Sequence, residues 1–180
     1  MQAEAGYCSI TGEPGGDPQR MGLSMVDFMT GTIFCIGLLG ALVDAQRTGK
    51  GRDVDTDLLS AAVHQTSYPA LWYMNHGDET ARTPRSAHPT ATPSQMFKAK
   101  DGWMFIMAQL PKFWDILTQR MGRADLKDDP RFATYKARTE IIGALNGIIG
   151  EVALTKSSDE WLSLLAEANI PAMRYNTMED

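Results

Sequence analysis

Asp27 is the residue whose type and position most suggest chemistry. It opens the apolar stretch "VDFMTGTIFCIGLLGALV", residues 26–43, which predicts a long helix. The positive end of the helix dipole keeps a carboxylate in the first turn ionised, and an ionised carboxylate can attack an activated acyl group. Gly31 lies one helical turn later on the same face and leaves room beside the carboxylate for a bulky reactant. The two residues are a candidate nucleophile and a candidate binding position.

A structural role for Asp27 explains the same position. Asp is a preferred N-cap residue, because its carboxylate accepts hydrogen bonds from backbone N–H groups of the first helical turn. Helix caps are common and nucleophilic carboxylates are rare. Helix geometry is compatible with both roles, so it does not choose between a cap and a nucleophile.

The glycines of this helix do not form a phosphate-binding loop. Their spacing matches neither the dinucleotide-binding fingerprint nor the P-loop, and no strand leads into them. We expect instead that they allow the helix to approach another backbone closely; they are Gly31, Gly37 and Gly40.

The histidines and cysteines do not suggest a metal site. His64, His76 and His88 are scattered along the chain, and Cys8 and Cys35 lack metal-ligand spacing. His88 stays a candidate substrate-binding residue, because polar segments near domain junctions often line sites. Two isolated thiols suit a reducing compartment, which favours a cytoplasmic location.

Charge and hydropathy argue against two classes of partner. The formal net charge is -5 and lysine and arginine form no block, so a nucleic-acid surface is not expected. The longest uncharged apolar stretch, Thr32 to Val43, is too short to span a bilayer. The first residues lack the basic and apolar pattern of a signal peptide. Both ends of the sequence look like the interior of a longer chain, so we expect a segment of a larger protein.

The first half predicts mainly helices. A helix is expected from Ser24 or Asp27 to Arg47, with Gly49 as its left-handed terminator. The alternation of apolar and acidic residues over 52–59 predicts a short strand. A second helix is expected over 58–75, broken at Pro69. The polar, proline-containing segment 79–93 predicts a linker between a domain at 1–78 and another at 94–180.

The second half predicts helices and short strands. "SQMFKAKDGWMFIMAQ" predicts a hairpin that turns at Lys100–Gly102, and "IPAMRY" predicts a closing strand. Helices are expected over 111–122, 136–153 and 158–168, the last opened by a capping box of Ser157 and Glu160. The fold class is therefore mixed α/β in two unequal pieces.

A longer set of motifs adds a family resemblance. "AGYCSITGEPGGDPQRMGLSMVDFMTGTIFCIGLLGALVDAQRTGKGRDVDTDLL" is followed by His88-Pro89, Pro93, Asp101-Gly102, "KDDPRF" and "IPA". In this order and spacing they resemble the central signature of class III CoA-transferases, the formyl-CoA and carnitine CoA-transferase family, whose superfamily includes the α-methylacyl-CoA racemases. The resemblance implies part of a Rossmann-like large domain followed by a smaller α/β domain, in an interlocked homodimer.

The resemblance also implies a mechanism. Asp27 falls on the family's catalytic aspartate, which forms an aspartyl-CoA thioester while CoA moves from an acyl-CoA to a small carboxylic acid. Gly31 would make room for the thioester. CoA would enter as a substrate and no cofactor would be permanently bound. Most CoA-binding residues of the family precede the equivalent of Met1, so none is assigned here.

Other activities stay open. The family's glycine-rich loop should fall near 85–93, where "RSAHPTATP" has no glycine, so formyl or oxalyl specificity is not supported. A racemase would pair the carboxylate with a histidine and place a glutamate after the hairpin, but "AQLPKF" has no acid, which favours a transferase. An inactive fragment and an unrelated binding module are the remaining alternatives. A chain of this extent would expose faces meant for missing residues, so we predict self-association or poor solubility.

Overall fold

The computed structural model describes residues 1–180, which form two compact units, Met1–Arg82 and Thr83–Asp180. Helices and one three-stranded sheet occur together, which confirms the mixed α/β class. The border between the units lies inside the segment 79–93 that was predicted as a linker. Ala87, Ala91 and Thr92 of this segment are buried in the second unit, so its later part packs as folded structure.

The first unit is helical. Its elements are α1 (Tyr7–Ile10), α2 (Met25–Thr48), α3 (Leu58–Gln65) and α4 (Tyr68–His76). Gly49 ends α2 with a φ of 71° and donates its N–H to the carbonyl of Ala45, as the left-handed terminator prediction requires. Pro69 lies in the first turn of α4, which confirms the break predicted there.

The strand predicted over 52–59 is wrong. Residues 50–57 have no regular structure, and α3 begins at Leu58. Val54 is half-buried and would lie 2.8 Å from a Cβ at Gly37, while Asp57 caps α3 by accepting from the Ser60 N–H at 2.8 Å. The alternation therefore records an extended segment that packs one side on α2. A strand also needs a hydrogen-bonded partner, and none pairs with this segment.

The second unit contains the sheet. Strands β1 (Ser94–Lys98), β2 (Trp103–Met107) and β3 (Ala172–Arg174) lie in the order β1-β2-β3, all antiparallel. Met96 pairs with Phe105, which pairs with Met173 on the other side. The predicted hairpin and closing strand are confirmed.

Five helices complete this unit. They are α5 (Pro111–Arg120), α6 (Asp125–Asp128), α7 (Tyr135–Glu140), α8 (Ile142–Ala153) and α9 (Ser158–Glu167). The single helix predicted over 136–153 is divided at Ile141, whose φ of −122° and ψ of 35° are not helical. A β-branched pair followed by Gly143 favours helix weakly, which explains the break. The core includes Phe97, Met104, Trp114, Leu117, Leu145 and Leu165.

Candidate functional site

Asp27 occupies the first turn of α2 but does not cap it. The N-cap is Ser24, whose side chain makes no capping hydrogen bond, and Asp27 is the third residue of the helix. The interpretation of Asp27 as N-cap is therefore wrong. Its side chain is exposed, and its carboxylate forms no hydrogen bond or ion pair with the rest of the chain. The carboxylate suits the positive end of the helix dipole, but no side-chain contact within the chain accounts for it.

Val26 fixes the start of α2 on the first unit. It is 5% exposed and packs in a small cluster with Tyr7 and Ala62. The Tyr7 hydroxyl donates to the Ala62 carbonyl at 3.1 Å, which ties α1 to α3 beneath the helix. Because neighbouring helical residues point in different directions, burial of Val26 leaves Asp27 facing away from the cluster.

Gln2 fixes the segment that enters α2, and the sequence analysis missed it. Its Nε2 donates to the carbonyls of Met21 at 3.3 Å and Leu23 at 3.1 Å, and its Oε1 accepts from the Met21 N–H at 2.8 Å. No periodic pattern or motif signals a contact between residues so far apart.

A cavity of about 460 Å³ opens beside Asp27. Gln2, Cys8, Arg20 and Asp27 contribute to its wall. The Arg20 guanidinium makes one long hydrogen bond, to the Met21 carbonyl at 3.3 Å, and no ion pair. The cavity therefore combines a carboxylate with a cation that retains most of its donors, an arrangement suited to a small anionic reactant.

Gly31 opens onto free space. A Cβ built at Gly31 would meet no other atom within 4 Å, and the same holds for Gly40. At Gly37 a Cβ would lie 2.8 Å from Val54 Cγ1. The close approach expected for these glycines therefore occurs at Gly37, against a side chain instead of a backbone. Packing within this chain does not explain Gly31.

Arg82 orders the loop on the other side of Cys8. Its guanidinium donates to the carbonyls of Cys8 at 2.8 Å and Asp17 at 3.0 Å. A second, larger cavity of about 1190 Å³ lies in the first unit between this loop and α4. Three acidic residues line it, Glu4, Asp78 and Glu79, so it is a poor match for a phosphate-bearing ligand.

His88 lies in the second unit, in the loop before β1. Its Nδ1 accepts from the backbone N–H groups of Thr90 at 3.2 Å and Ala91 at 3.1 Å, and the backbone N–H of His88 donates to the Ser94 carbonyl at 2.9 Å. One ring nitrogen is thus engaged in shaping the loop. The substrate-binding role of His88 stays a prediction.

Most of α2 is exposed in this chain. Only Val26 is buried, whereas Phe28 is 75%, Ile36 66% and Val43 64% exposed. By length and composition α2 is able to cross a membrane, with a mean hydropathy of 1.9 over its best window. The sequence expectation considered only the shorter stretch Thr32 to Val43. The core helix of a soluble protein satisfies the same criteria of length and composition.

Comparison with curated proteins finds relatives over the whole chain. A succinyl-CoA–D-citramalate CoA-transferase of Chloroflexus aurantiacus is 32% identical over 180 residues, which cover 99% of this chain and 44% of the relative. A succinyl-CoA:glutarate CoA-transferase of Mus musculus is 30% identical over 178 residues, covering 99% of this chain and 41% of the relative. The chain therefore spans less than half the length of these relatives.

Comparison with solved structures also finds a match over nearly the whole chain. The crystal structure of Rv3272 from Mycobacterium tuberculosis superposes with a TM-score of 0.85 at 27% sequence identity, over 98% of this chain and 45% of that one. The model of CoA-transferase family III matches residues 1–180, the full extent of the sequence. The chain belongs to CoA-transferase family III.

Proposed function

We propose that the protein transfers CoA from an acyl-CoA thioester to a carboxylic acid, with Asp27 as the nucleophile. The observation that carries this proposal is the exposed carboxylate of Asp27, which has no partner in the chain and lies at the helix start. Gly31, which packing does not require, leaves space one turn further along. The names of the relatives support a CoA-transferase activity.

The proposed reaction has four displacement steps. A carboxylate oxygen of Asp27 attacks the thioester carbonyl, and the C–S bond breaks to give a mixed anhydride and CoA thiolate. The thiolate attacks the aspartyl carbonyl and expels the donor's carboxylate, leaving CoA in a thioester on Asp27. The acceptor carboxylate attacks this thioester and releases the thiolate. The thiolate then attacks the acceptor's acyl carbon and frees the carboxylate of Asp27.

The start of α2 supplies donors for the oxyanions of these steps. The first N–H groups of a helix have no partner within the helix, and Ser24 does not cap them here. Such N–H groups stabilise the negative oxygen that forms when a carbonyl beside them is attacked. Asp27 is the third residue of the helix, so these N–H groups are the candidate donors for an oxyanion that forms on its carbonyl.

We propose a dicarboxylic acid as acceptor or donor. The relatives are named for succinyl, citramalate and glutarate groups, each with two carboxyl groups. Arg20 lies in the wall of the same cavity as Asp27. Its planar guanidinium is suited to bind a second carboxylate while the first one reacts.

The same proposal extends to the domains of the protein, to what covers α2 and to its partners. We propose that the unit Met1–Arg82 belongs to the large domain and the unit Thr83–Asp180 to the small domain. We propose that protein and not lipid covers the exposed apolar face of α2, since the relatives named as CoA-transferases are more than twice as long as this chain. A homodimer, a cytoplasmic location and no nucleic-acid partner complete the proposal.

The test uses the full-length gene product with succinyl-CoA and a panel of carboxylic acids. Asp27→Asn should abolish CoA transfer, while Asp53→Asn, at an exposed aspartate of the same unit, should retain it. Hydroxylamine converts an aspartyl thioester to a hydroxamate, so peptide mass spectrometry after acyl-CoA treatment should locate the modification at Asp27. Full turnover by Asp27→Asn, or a hydroxamate at another residue, would contradict the nucleophile assignment.

A further inference from the structure

We propose that Gln2 is a positioning residue for Asp27, and that its carboxamide sets the entry of α2 in the geometry needed for attack. This inference rests on the proposed function, since it assigns a task within that site. Gln2 does not react and acts only through the backbone that leads to Asp27.

The carboxamide makes three hydrogen bonds to one short segment. It receives the Met21 N–H at 2.8 Å and donates to the carbonyls of Met21 at 3.3 Å and Leu23 at 3.1 Å. A carboxamide has two donor hydrogens and one acceptor oxygen, so both kinds of group are used. The three bonds hold both ends of residues 21–23 and so restrict the rotation of this segment.

The helix start has few other restraints. Ser24 makes no capping bond, and the first turn is otherwise attached through burial of Val26 and the Phe28 N–H, which donates to the Ser24 carbonyl at 3.2 Å. Leu23 directly precedes the N-cap, so its carbonyl marks where the chain turns into α2. The bond from Gln2 to this carbonyl therefore restrains the residue before the N-cap, while the first N–H groups of the helix stay uncapped.

The same restraint acts on the cavity. Gln2, Arg20 and Asp27 all contribute to its wall, and the segment bonded to Gln2 joins the last two. If the bonds are lost, Arg20 and the helix start can move relative to each other. A displacement of about 1 Å in a reacting group costs up to about 100-fold in rate.

Few residue types can replace this carboxamide. Asn has the same groups on a side chain one methylene shorter, and it cannot reach both carbonyls. Ionised Glu accepts from Met21 but donates to neither carbonyl, and its charge faces two carbonyl oxygens. Protonated Glu regains one donor. Gln2→Glu thus provides a variant whose function should return as the carboxyl group is protonated.

The kinetic experiment compares the full-length protein with Gln2→Ala, Gln2→Glu and the control Gln46→Ala, an exposed glutamine of α2. Rates are expressed per site that can be converted to the Asp27 hydroxamate, so that unfolded protein does not count. Gln2→Ala should lower kcat by about 10- to 100-fold with little change in KM for the acyl-CoA. Gln46→Ala should match the wild type.

The pH experiment separates positioning from bulk stability. The ratio of Gln2→Glu activity to wild-type activity should rise as the pH falls from about 8 towards about 5, because a Glu facing carbonyl oxygens has a pKa above its usual value of about 4.3. Rates per competent site leave out unfolded protein, so a recovery of stability in acid does not by itself raise this ratio. Hydrogen exchange supplies an independent measure: the Met21 amide should exchange faster in Gln2→Ala than in Gln46→Ala.

The outcomes are distinguishable. If Gln2→Ala keeps the kcat of the wild type per competent site, this inference is overturned and the proposed function is left intact. A Met21 amide that exchanges equally in both variants would also overturn it. A wild-type protein that neither transfers CoA nor forms the hydroxamate would overturn the proposed function, and this inference with it.

Discussion

The carboxamide of Gln2 and the backbone of Met21 form a reciprocal pair of hydrogen bonds across 19 residues of chain. The Met21 N–H donates to Oε1 at 2.8 Å, and Nε2 donates back to the Met21 carbonyl at 3.3 Å. This pair closes residues 2–21, which include α1, into a ring that ends shortly before α2. Asp27 follows this ring in the chain and lies in the first turn of α2, a long apolar helix.

The three glycines of α2 should respond differently to alanine. Gly31→Ala and Gly40→Ala add a methyl group in open space and raise helix propensity, so each should stabilise this chain by up to about 1 kcal/mol. Gly37→Ala should destabilise relative to both, because its Cβ would lie 2.8 Å from Val54 Cγ1. Urea unfolding of the three variants measures the difference. Equal stability of all three would contradict the close packing at Gly37.

Alanine at Gly31 and alanine at Gly40 should differ in their effect on activity. Gly31→Ala narrows the space one turn from Asp27, so kcat/KM for the acyl-CoA should fall by roughly 10-fold or more, about the effect of one misfitting methyl group in a pocket. Gly40 lies more than two helical turns from Asp27, so Gly40→Ala is the control. Steady-state kinetics of the two full-length variants should show the loss only for Gly31→Ala. An equal loss in both would indicate a general effect on the helix.

Arg20 should determine preference for dicarboxylic acids. In Arg20→Gln the second carboxylate loses its charged partner, so KM for glutarate should rise by about 10-fold or more while KM for butyrate changes little. Arg20→Lys should restore part of the affinity through its charge alone. Competition between glutarate and butyrate in one reaction gives the selectivity directly. A rise in KM for the acyl-CoA instead would place Arg20 at the CoA, not at the acceptor.

Acid should weaken the second unit partly through Glu160. The hydrogen bond from the Ser157 N–H holds the pKa of Glu160 below its usual range, helped by the Ser157 side chain. A lowered folded-state pKa means that the stabilisation is complete above the unfolded-state pKa and is lost as the pH falls through the folded-state value. Glu160→Gln accepts the same bond without titrating, so its unfolding free energy should fall less between pH about 5 and about 3. An unchanged acid dependence in Glu160→Gln would contradict this assignment.

The isolated chain should self-associate through its first unit. Phe28, Leu71 and Met74 are 75%, 58% and 70% exposed, and apolar patches of this kind drive association. Sedimentation velocity should show species larger than a monomer. Replacing Ile36 and Leu39 of α2 with lysine should shift the distribution towards monomer, whereas Lys136→Glu in the second unit should not. A sharp monomeric boundary with cooperative melting would contradict the prediction.

The sequence determined the features that depend on near neighbours. The end of α2 at Gly49, the break before Pro69 and the capping box at Ser157 each involve residues three to five positions apart, and each is confirmed. Asp27 and Gly31 stood out for the same reason, because one helical turn brings them to one face. The family motifs reached further, since they carry order and spacing over the whole chain.

Only the tertiary structure decided which groups meet across long separations. The strand expected at 52–59 proved to be an extended segment without a partner, because alternation shows which side is buried but not what pairs with it. Gln2 meets Met21 and Leu23, and Arg20 joins Asp27 in one cavity, through contacts that no local pattern encodes. Asp27 is no cap because the chain enters α2 at Ser24, and that entry is set by packing of Val26 and by the carboxamide of Gln2.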